Sequence, residues 1–139
     1  MARKNLIDAG PVVAYLDRND PDHDWAVKSF LTCDHFATCE AVLTESFYLL
    51  SKTHNGVDLL AAFCETGALT IDFRLLDHAV AIRELMEKYR NIPMDLADAC
   101  LVLMAEENPQ ATIITTDRDF LLYRTRNRRQ LHLLAPFCD

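Results

Sequence analysis

The sequence predicts an α/β sandwich in which helices pack on a mainly parallel sheet. Short apolar segments alternate along the chain with longer segments whose apolar residues recur at helical spacing. The clearest strand is the β-branched run 112–116, and the clearest buried helix follows Pro93. Because parallel strands need long crossover connections, alternation of strands with helices favours a parallel sheet.

The composition predicts one compact domain over residues 1–139. Hydrophobic residues make up 50% of the chain, and no linker, repeat or low-complexity tract interrupts it. The net charge of −7 argues against a surface that coats nucleic acid or an anionic membrane. No segment reaches the ~20 apolar residues of a membrane helix, and no signal peptide is evident. We therefore expect a cytoplasmic protein without membrane contact.

The five cysteines predict reduced thiols that mainly fill space. Their number is odd and they are spread along the chain, without a Cys-x-x-Cys pair or histidines at zinc-finger spacing. We therefore expect neither a disulfide framework nor a structural zinc site.

The first half of the chain predicts three strands and four helices. A short apolar strand ends near Asp8, and Pro11 lies in the first turn of the helix that follows. The further elements are a helix that opens near Asp22, a weak strand at 36–38, helices over 40–53 and 56–66, a Gly67 cap and a strand over 68–73.

The second half predicts two longer helices, two strands and a short helix. The first helix, over 75–90, has an apolar face. That face consists of Val80, Ile82, Leu85, Met86 and Tyr89. The other elements are the helix after Pro93, the strand 112–116, a short helix from Asp117 and a last strand over 131–134.

Asp98 is the most unusual residue of this pattern. Every other residue from 96 to 105 is apolar or small, so that the helix offers no solvent face for a carboxylate. Burial of an ionised acid costs several kcal/mol, roughly, unless a cation or hydrogen-bond donors compensate. Asp98 therefore needs a partner.

Other acids are predicted to lie near Asp98. Asp8 and Asp117 each follow a strand, and the carboxyl ends of parallel strands meet at one edge of a sheet. Two carboxylates ~4 Å apart repel by roughly 4 kcal/mol at an effective dielectric of 20, so such a cluster predicts a divalent cation. Oxygen ligands without His or Cys suit Mg²⁺, with Mn²⁺ as a possible substitute.

Each acid also has an explanation that needs no metal. Asp8 could hydrogen-bond the turn before Pro11, Asp117 could cap the short helix that follows it, and Asp95 could form a capping box with Asp98. Glu45 falls at the border of an apolar arc, so the pattern leaves it ambiguous between core and solvent.

Four motifs contain these acids: LIDAGPVVA (6–14), TESFYLL (44–50), PMDLADA (93–99) and ITTDRDF (114–120). In their order they resemble the motifs of PIN-domain ribonucleases, specifically the VapC-like toxins of bacterial toxin–antitoxin pairs. The resemblance implies a Rossmann-like three-layer α/β/α fold and Mg²⁺-dependent endonucleolytic cleavage of RNA. It also implies a homodimer and inhibition by a cognate antitoxin.

The resemblance assigns roles to particular residues. Asp8, Glu45, Asp98 and Asp117 match the family's acidic active-site set, with Asp8 and Asp98 as metal ligands. Thr115 matches the hydroxyl residue beside these acids, as a phosphate contact or a support for an acid.

Two features depart from the family pattern. Ala9 stands where many relatives carry Thr or Ser, so the hydroxyl that those relatives have at this position, next to Asp8, is missing. Asp95 and Asp119 are extra acids, each of which could be a cap, a second-metal ligand or a spectator.

A group of arginines could contact RNA phosphates close to the acidic edge. The same residues could instead belong to a solvated loop or contact a protein partner. The group consists of Arg118, Arg124, Arg126, Arg128 and Arg129.

Other functions compete with an RNA nuclease. A DNA nuclease of the same fold and a non-catalytic binding module with a residual acidic pocket both remain open. A haloacid-type phosphatase does not fit, because it needs a second Asp two residues after Asp8, where this chain has Gly10.

Overall fold

The computed structural model describes residues 3–138, in which strands and helices alternate. Residues 1, 2 and 139, which the sequence prediction includes in the domain, lie outside the described residues. The strands are β1 (Asn5–Ile7), β2 (Phe36–Ala37), β3 (Leu69–Thr70), β4 (Thr112–Ile114) and β5 (His132–Leu134). The α-helices are α1 (Ala9–Leu16), α2 (His23–Leu31), α3 (Glu40–Leu50), α4 (Gly56–Glu65), α5 (Ala79–Lys88) and α6 (Leu96–Glu107), and 3₁₀ helices span Leu75–His78 and Arg118–Leu121.

The sheet has the strand order β3-β2-β1-β4-β5, and all four pairs of neighbouring strands are parallel. This confirms the predicted parallel sheet. β1 lies at the centre, where Leu6 pairs with Ile113 and Ile7 with Ile114. All carboxyl ends of the strands therefore lie at one edge of the sheet, which we call the carboxyl edge.

Two apolar clusters cover the two faces of the sheet and confirm the three-layer arrangement. Successive residues of a strand point to opposite faces, so Leu6 and Ile113 belong to one cluster, together with residues of α5 and α6. Ile7 and Ile114 belong to the other, with residues of α1, α2, α3 and α4. As predicted, α6 is buried almost all round, from Ala97 to Ala105.

Several predicted boundaries were wrong. The strand predicted over 68–73 contains only two residues, and the helix predicted over 40–53 ends at Leu50. The helix predicted over 75–90 begins with a 3₁₀ turn, which has three residues per turn. The different winding shifts the helical face, so that Val80 is 73% exposed and Ala81 is buried instead.

The strand predicted over 112–116 ends at Ile114, and the reason lies next to Asp8. The Thr115 side chain turns to the Asp8 carboxylate. Thr116 packs against Gly10, where a Cβ would lie only 2.0 Å from the Thr116 Oγ1. Gly10 therefore permits the first turn of α1 to approach the segment that follows β4.

All five cysteines are free thiols, and Cys39 and Cys100 are buried. Over residues 3–138, none of the helices combines the length and the apolar character needed to cross a membrane.

Candidate active site

Asp8 lies where β1 ends, and it is the N-cap of α1. Its backbone N–H donates to the Ile114 carbonyl at 3.0 Å, which places it beside the end of β4. Oδ1 accepts a hydrogen bond from the Ala9 N–H at 2.8 Å, and Oδ2 accepts one from the Thr115 hydroxyl at 2.7 Å. Burial raises the pKa of Asp8 to about 6 even though both hydrogen bonds favour the charged form.

Asp98 lies in the first turn of α6 and is only 7% exposed, as its sequence environment predicted. Oδ2 accepts a hydrogen bond from the Tyr123 hydroxyl at 3.0 Å and a longer one from the Asp95 N–H at 3.4 Å. Burial, followed by the charges of Asp95 and Asp8, raises the pKa of Asp98 to about 8. The Asp98 side chain thus has hydrogen-bond donors, but within the described residues it has no basic side chain as a partner.

Glu45 and Asp117 are half-buried acids in the same neighbourhood. Glu45 is on α3, and burial together with the charges of Asp95 and Asp117 raises its pKa. Asp117 precedes the 3₁₀ turn, and its pKa is also raised, chiefly by burial. The Asp117 N–H donates to the Thr115 hydroxyl at 3.0 Å, so Thr115 joins Asp117 to Asp8.

The local explanations of these acids are also correct. Asp95 and Asp98 form the complete capping box, and Asp117 caps the 3₁₀ turn by accepting from the Asp119 N–H at 2.9 Å. A cap uses a single carboxylate oxygen, so capping leaves room for a second role. Asp119 acts electrostatically on Asp117, while Asp95 acts on three of the acids.

These acids therefore meet at the carboxyl edge without a counter-ion. Asp8 experiences the charges of Glu45 and Asp117, and Asp98 experiences that of Asp8. Within the described part of the chain, none of these acids forms an ion pair with Lys, Arg or His. The cluster lies between β1 and β4, where the connections from β1 and β4 leave toward opposite sides of the sheet.

The donor set fits a hard divalent cation that keeps several water ligands. No three His, Cys, Asp or Glu side chains among residues 3–138 form a ready-made metal cage. Mg²⁺ usually binds through one or two carboxylates and completes its shell with water and substrate phosphate. Asp8 and Asp98 offer only oxygen atoms, which such an ion prefers as ligands. Both side chains are buried, and the charges of neighbouring acids repel them.

An open groove adjoins these acids. It contains Glu45 and Asp95 as well as Tyr48 and Leu96, which are 62% and 39% exposed. Glu45 and Asp95 are therefore reachable from solvent along a partly apolar surface.

Tyr123 is a residue of this site that the sequence analysis did not identify. It is fully buried and donates to Asp98 from a position 25 residues further along the chain. A signal existed, because Tyr123 follows Phe120 at a spacing that places both on one buried face, and a buried phenol needs a hydrogen-bond partner. No feature of the sequence indicated that this partner would be Asp98.

The prediction that the arginine group lies close to the acids was wrong for Arg126 and Arg129. Arg126 binds Glu106 through its backbone N–H and its guanidinium. Arg129 donates to the Ala105 and Glu106 carbonyls at the C-terminal end of α6. At ~1.5 Å per residue, this end lies roughly 12 Å from Asp98 along the helix. Arg118 alone among the five directly follows an acid of the cluster.

Comparisons with known proteins agree with this architecture. A family model described as PIN domain matches residues 6–126. The crystal structure of VapBC2 from Rickettsia felis, bound to a DNA fragment from its promoter, matches with a TM-score of 0.60 and 16% sequence identity. The match covers 94% of this chain and 97% of that one, and at this identity it is a likeness of fold. No curated protein sequence matches the chain.

Proposed function

Because this chain belongs to the PIN-domain family, we propose that it is a Mg²⁺-dependent endoribonuclease that hydrolyses phosphodiester bonds. The observation that carries the proposal is the meeting of Asp8, Glu45, Asp98 and Asp117 at the carboxyl edge, where burial and mutual repulsion raise their pKa values. A stable fold gains nothing from four acids without a counter-ion, whereas a cation site requires them.

Asp8 and Asp98 would hold the cation, and Glu45 and Asp117 would act on water. When bound, Mg²⁺ supplies stabilisation of the charge that develops on the phosphate and lowers the pKa of a bound water. Glu45 and Asp117 are half-buried and so can reach solvent water, orient it and accept its proton. Thr115 positions Asp8 by donating to its Oδ2.

We propose RNA as the substrate because the four motifs resemble those of VapC-like toxins. An acidic chain must still attract a polyanion, and Arg118 is the arginine best placed to do so, since it follows Asp117. Arg124 and Arg128 are less well placed, because they belong to the segment that leads to the opposite edge of the sheet.

A cognate antitoxin and a second copy of the chain are the partners that we propose. The similar structure is that of VapBC2, and the VapC-like motifs support the same kind of pairing here. Leu31, Leu76 and Val80 are 82%, 84% and 73% exposed, and such apolar side chains are suitable for burial in an interface.

Cleavage assays of Asp98→Asn test the proposal. We expect the purified protein to cut structured RNA in Mg²⁺ and not in EDTA, and Asp98→Asn to be inactive because it lacks the charge that holds the cation. Glu87→Gln is the matched control, since Glu87 is an exposed acid that pairs with Arg90 away from the site. Cleavage of duplex DNA alone would indicate a DNA nuclease, and full activity of Asp98→Asn would contradict the assignment.

A further inference from the structure

Tyr123 is held in place by burial and by contacts with two other aromatic rings. Its side chain is fully buried, just beyond the 3₁₀ turn Arg118–Leu121. Its ring packs edge-on against Phe120 and Tyr89, with ring centroids 5.2 and 5.1 Å away. These contacts fix the position of the phenol oxygen.

The Tyr123 hydroxyl contacts only one of the two Asp98 oxygens. It donates to Oδ2 at 3.0 Å, and the Asp95 N–H donates to the same oxygen. Among residues 3–138, no hydrogen-bond donor reaches Oδ1 of Asp98. The carboxylate is therefore anchored through one oxygen, and the other is available to a ligand.

A hydroxyl also anchors Asp8. The fully buried Thr115 donates to Asp8 Oδ2 at 2.7 Å. The two acids that would hold the cation come from β1 and α6, whereas both hydroxyls come from the segment after β4. This segment thus sets the orientation of both carboxylates.

We propose that Tyr123 is a positioning residue for the cation: its hydroxyl orients Asp98 so that Oδ1 is presented for binding. This inference rests on the proposed metal-dependent function. A hydroxyl that orients a metal-binding carboxylate acts on affinity rather than on folding alone, and loss of such a partner typically costs ~10–100-fold in metal affinity.

Tyr89 provides the matched control. It is also buried, and its ring touches that of Tyr123. Its hydroxyl accepts a hydrogen bond from the Arg124 N–H at 2.9 Å and so supports the backbone. Replacing either tyrosine with Phe removes one buried hydroxyl from the same aromatic cluster, but only Tyr123→Phe removes a contact with an acid.

The experiment compares Mn²⁺ binding with thermal stability in the full chain. Mn²⁺ affinity is measured by electron paramagnetic resonance or calorimetry, and unfolding is followed by circular dichroism without metal. We expect Tyr123→Phe to weaken Mn²⁺ binding about tenfold or more and Tyr89→Phe to change it less than about twofold, although both variants fold. The stability measurement separates an effect on the site from an effect on the fold.

Two results would overturn the inference alone: wild-type Mn²⁺ affinity in Tyr123→Phe, or an equal loss in Tyr89→Phe. A wild-type protein that binds no Mn²⁺ would overturn the proposed function and this inference together. The two failures are therefore distinguishable.

Discussion

The acids at the two ends of α6 differ in their partners. At the C-terminal end, Glu106 pairs with Arg126, and Glu107 pairs with His78. At the N-terminal end, Asp95 and Asp98 face further acids and pair with no basic side chain within the described residues. The acids at the N-terminal end suit the helix dipole, whereas Glu106 and Glu107 at the C-terminal end oppose it and are offset by Arg126 and His78.

The comparison separates charges that stabilise the fold from charges that are retained for another purpose. The dipole does not offset the effects of burial and of the neighbouring charges at the N-terminal end, since the pKa of Asp98 is still raised to about 8. Natural chains keep a destabilising arrangement of this kind mainly at functional sites. Changes at the acidic end should therefore affect chemistry, and changes at the paired end should affect stability.

The largest expected effect is on cleavage at the acidic end. Asp8→Asn keeps the size of the side chain and can still accept from Thr115, but it removes one of the two charges that would hold the cation. We expect the initial rate of RNA cleavage in Mg²⁺ to fall by about a hundredfold or more. Glu106→Gln at the paired end should retain cleavage within about threefold, and an equal loss in both variants would remove the distinction between the two ends.

The acidic end should also make stability depend on pH when no cation is present. The pKa values of Asp8 and Asp98 are about 6 and about 8 in the folded chain, above the ordinary 3.8. Between pH 3.8 and about pH 8, the folded state therefore binds more protons than the unfolded state. The free energy of unfolding falls as the pH rises through this window.

We expect the protein in EDTA to lose about 3–4 kcal/mol of stability between pH 5.5 and pH 8, as measured by urea unfolding. His78, whose pKa is also raised, adds a slope of the same sign. The double variant Asp8→Asn, Asp98→Asn should therefore retain only the smaller part that comes from His78, Glu45 and Asp117. An unchanged slope in that variant would show that the two acids titrate normally.

The paired end should show the converse behaviour. Glu106 accepts from the Arg126 N–H at 3.0 Å and from its guanidinium at 2.8 Å. Because Glu106→Ala removes these contacts, we expect it to lower the free energy of unfolding by about 1–2 kcal/mol. RNA cleavage per folded molecule should stay unchanged, and a loss of activity without a loss of stability would place Glu106 in the site.

The smallest expected effect concerns the attraction of RNA. Arg118 follows Asp117, whereas Arg126 already pairs with Glu106. We expect Arg118→Ala to reduce the slope of log affinity against log salt concentration by about 1, and Arg126→Ala to leave it unchanged. The measurement is RNA binding to the Asp98→Asn protein at several salt concentrations. Equal slopes for both arginine variants would contradict the different placement of the two residues.

Local patterns predicted most of the fold. The apolar run around Asp98 predicted a buried acid, and the alternation of elements predicted the parallel sheet. The boundary errors arose from tertiary contacts that a local pattern does not contain, such as the approach of Gly10 to Thr116. The grouping of the acids was predictable because a parallel sheet places all its carboxyl ends together.

The partners of individual side chains were less predictable. Tyr123 could belong to the core on its spacing alone, and only the packing of Phe120 and Tyr89 brings its hydroxyl to Asp98. The arginine group looked uniform in sequence, yet Arg126 and Arg129 lie at the far end of α6. The sequence did not show this separation, because the chain crosses from one edge of the sheet to the other between Arg118 and Arg126.

The residue that follows the central strand β1 has its hydroxyl partner far along the sequence, and this separation affects when the acidic centre can form during synthesis. Asp8 leaves the ribosome well before its hydroxyl partner Thr115, which lies 107 residues further along the chain. Synthesis at ~5–20 residues per second separates the two by several seconds. A nascent chain therefore cannot assemble the acidic centre until the segment that contains Thr115 and Asp117 has been translated.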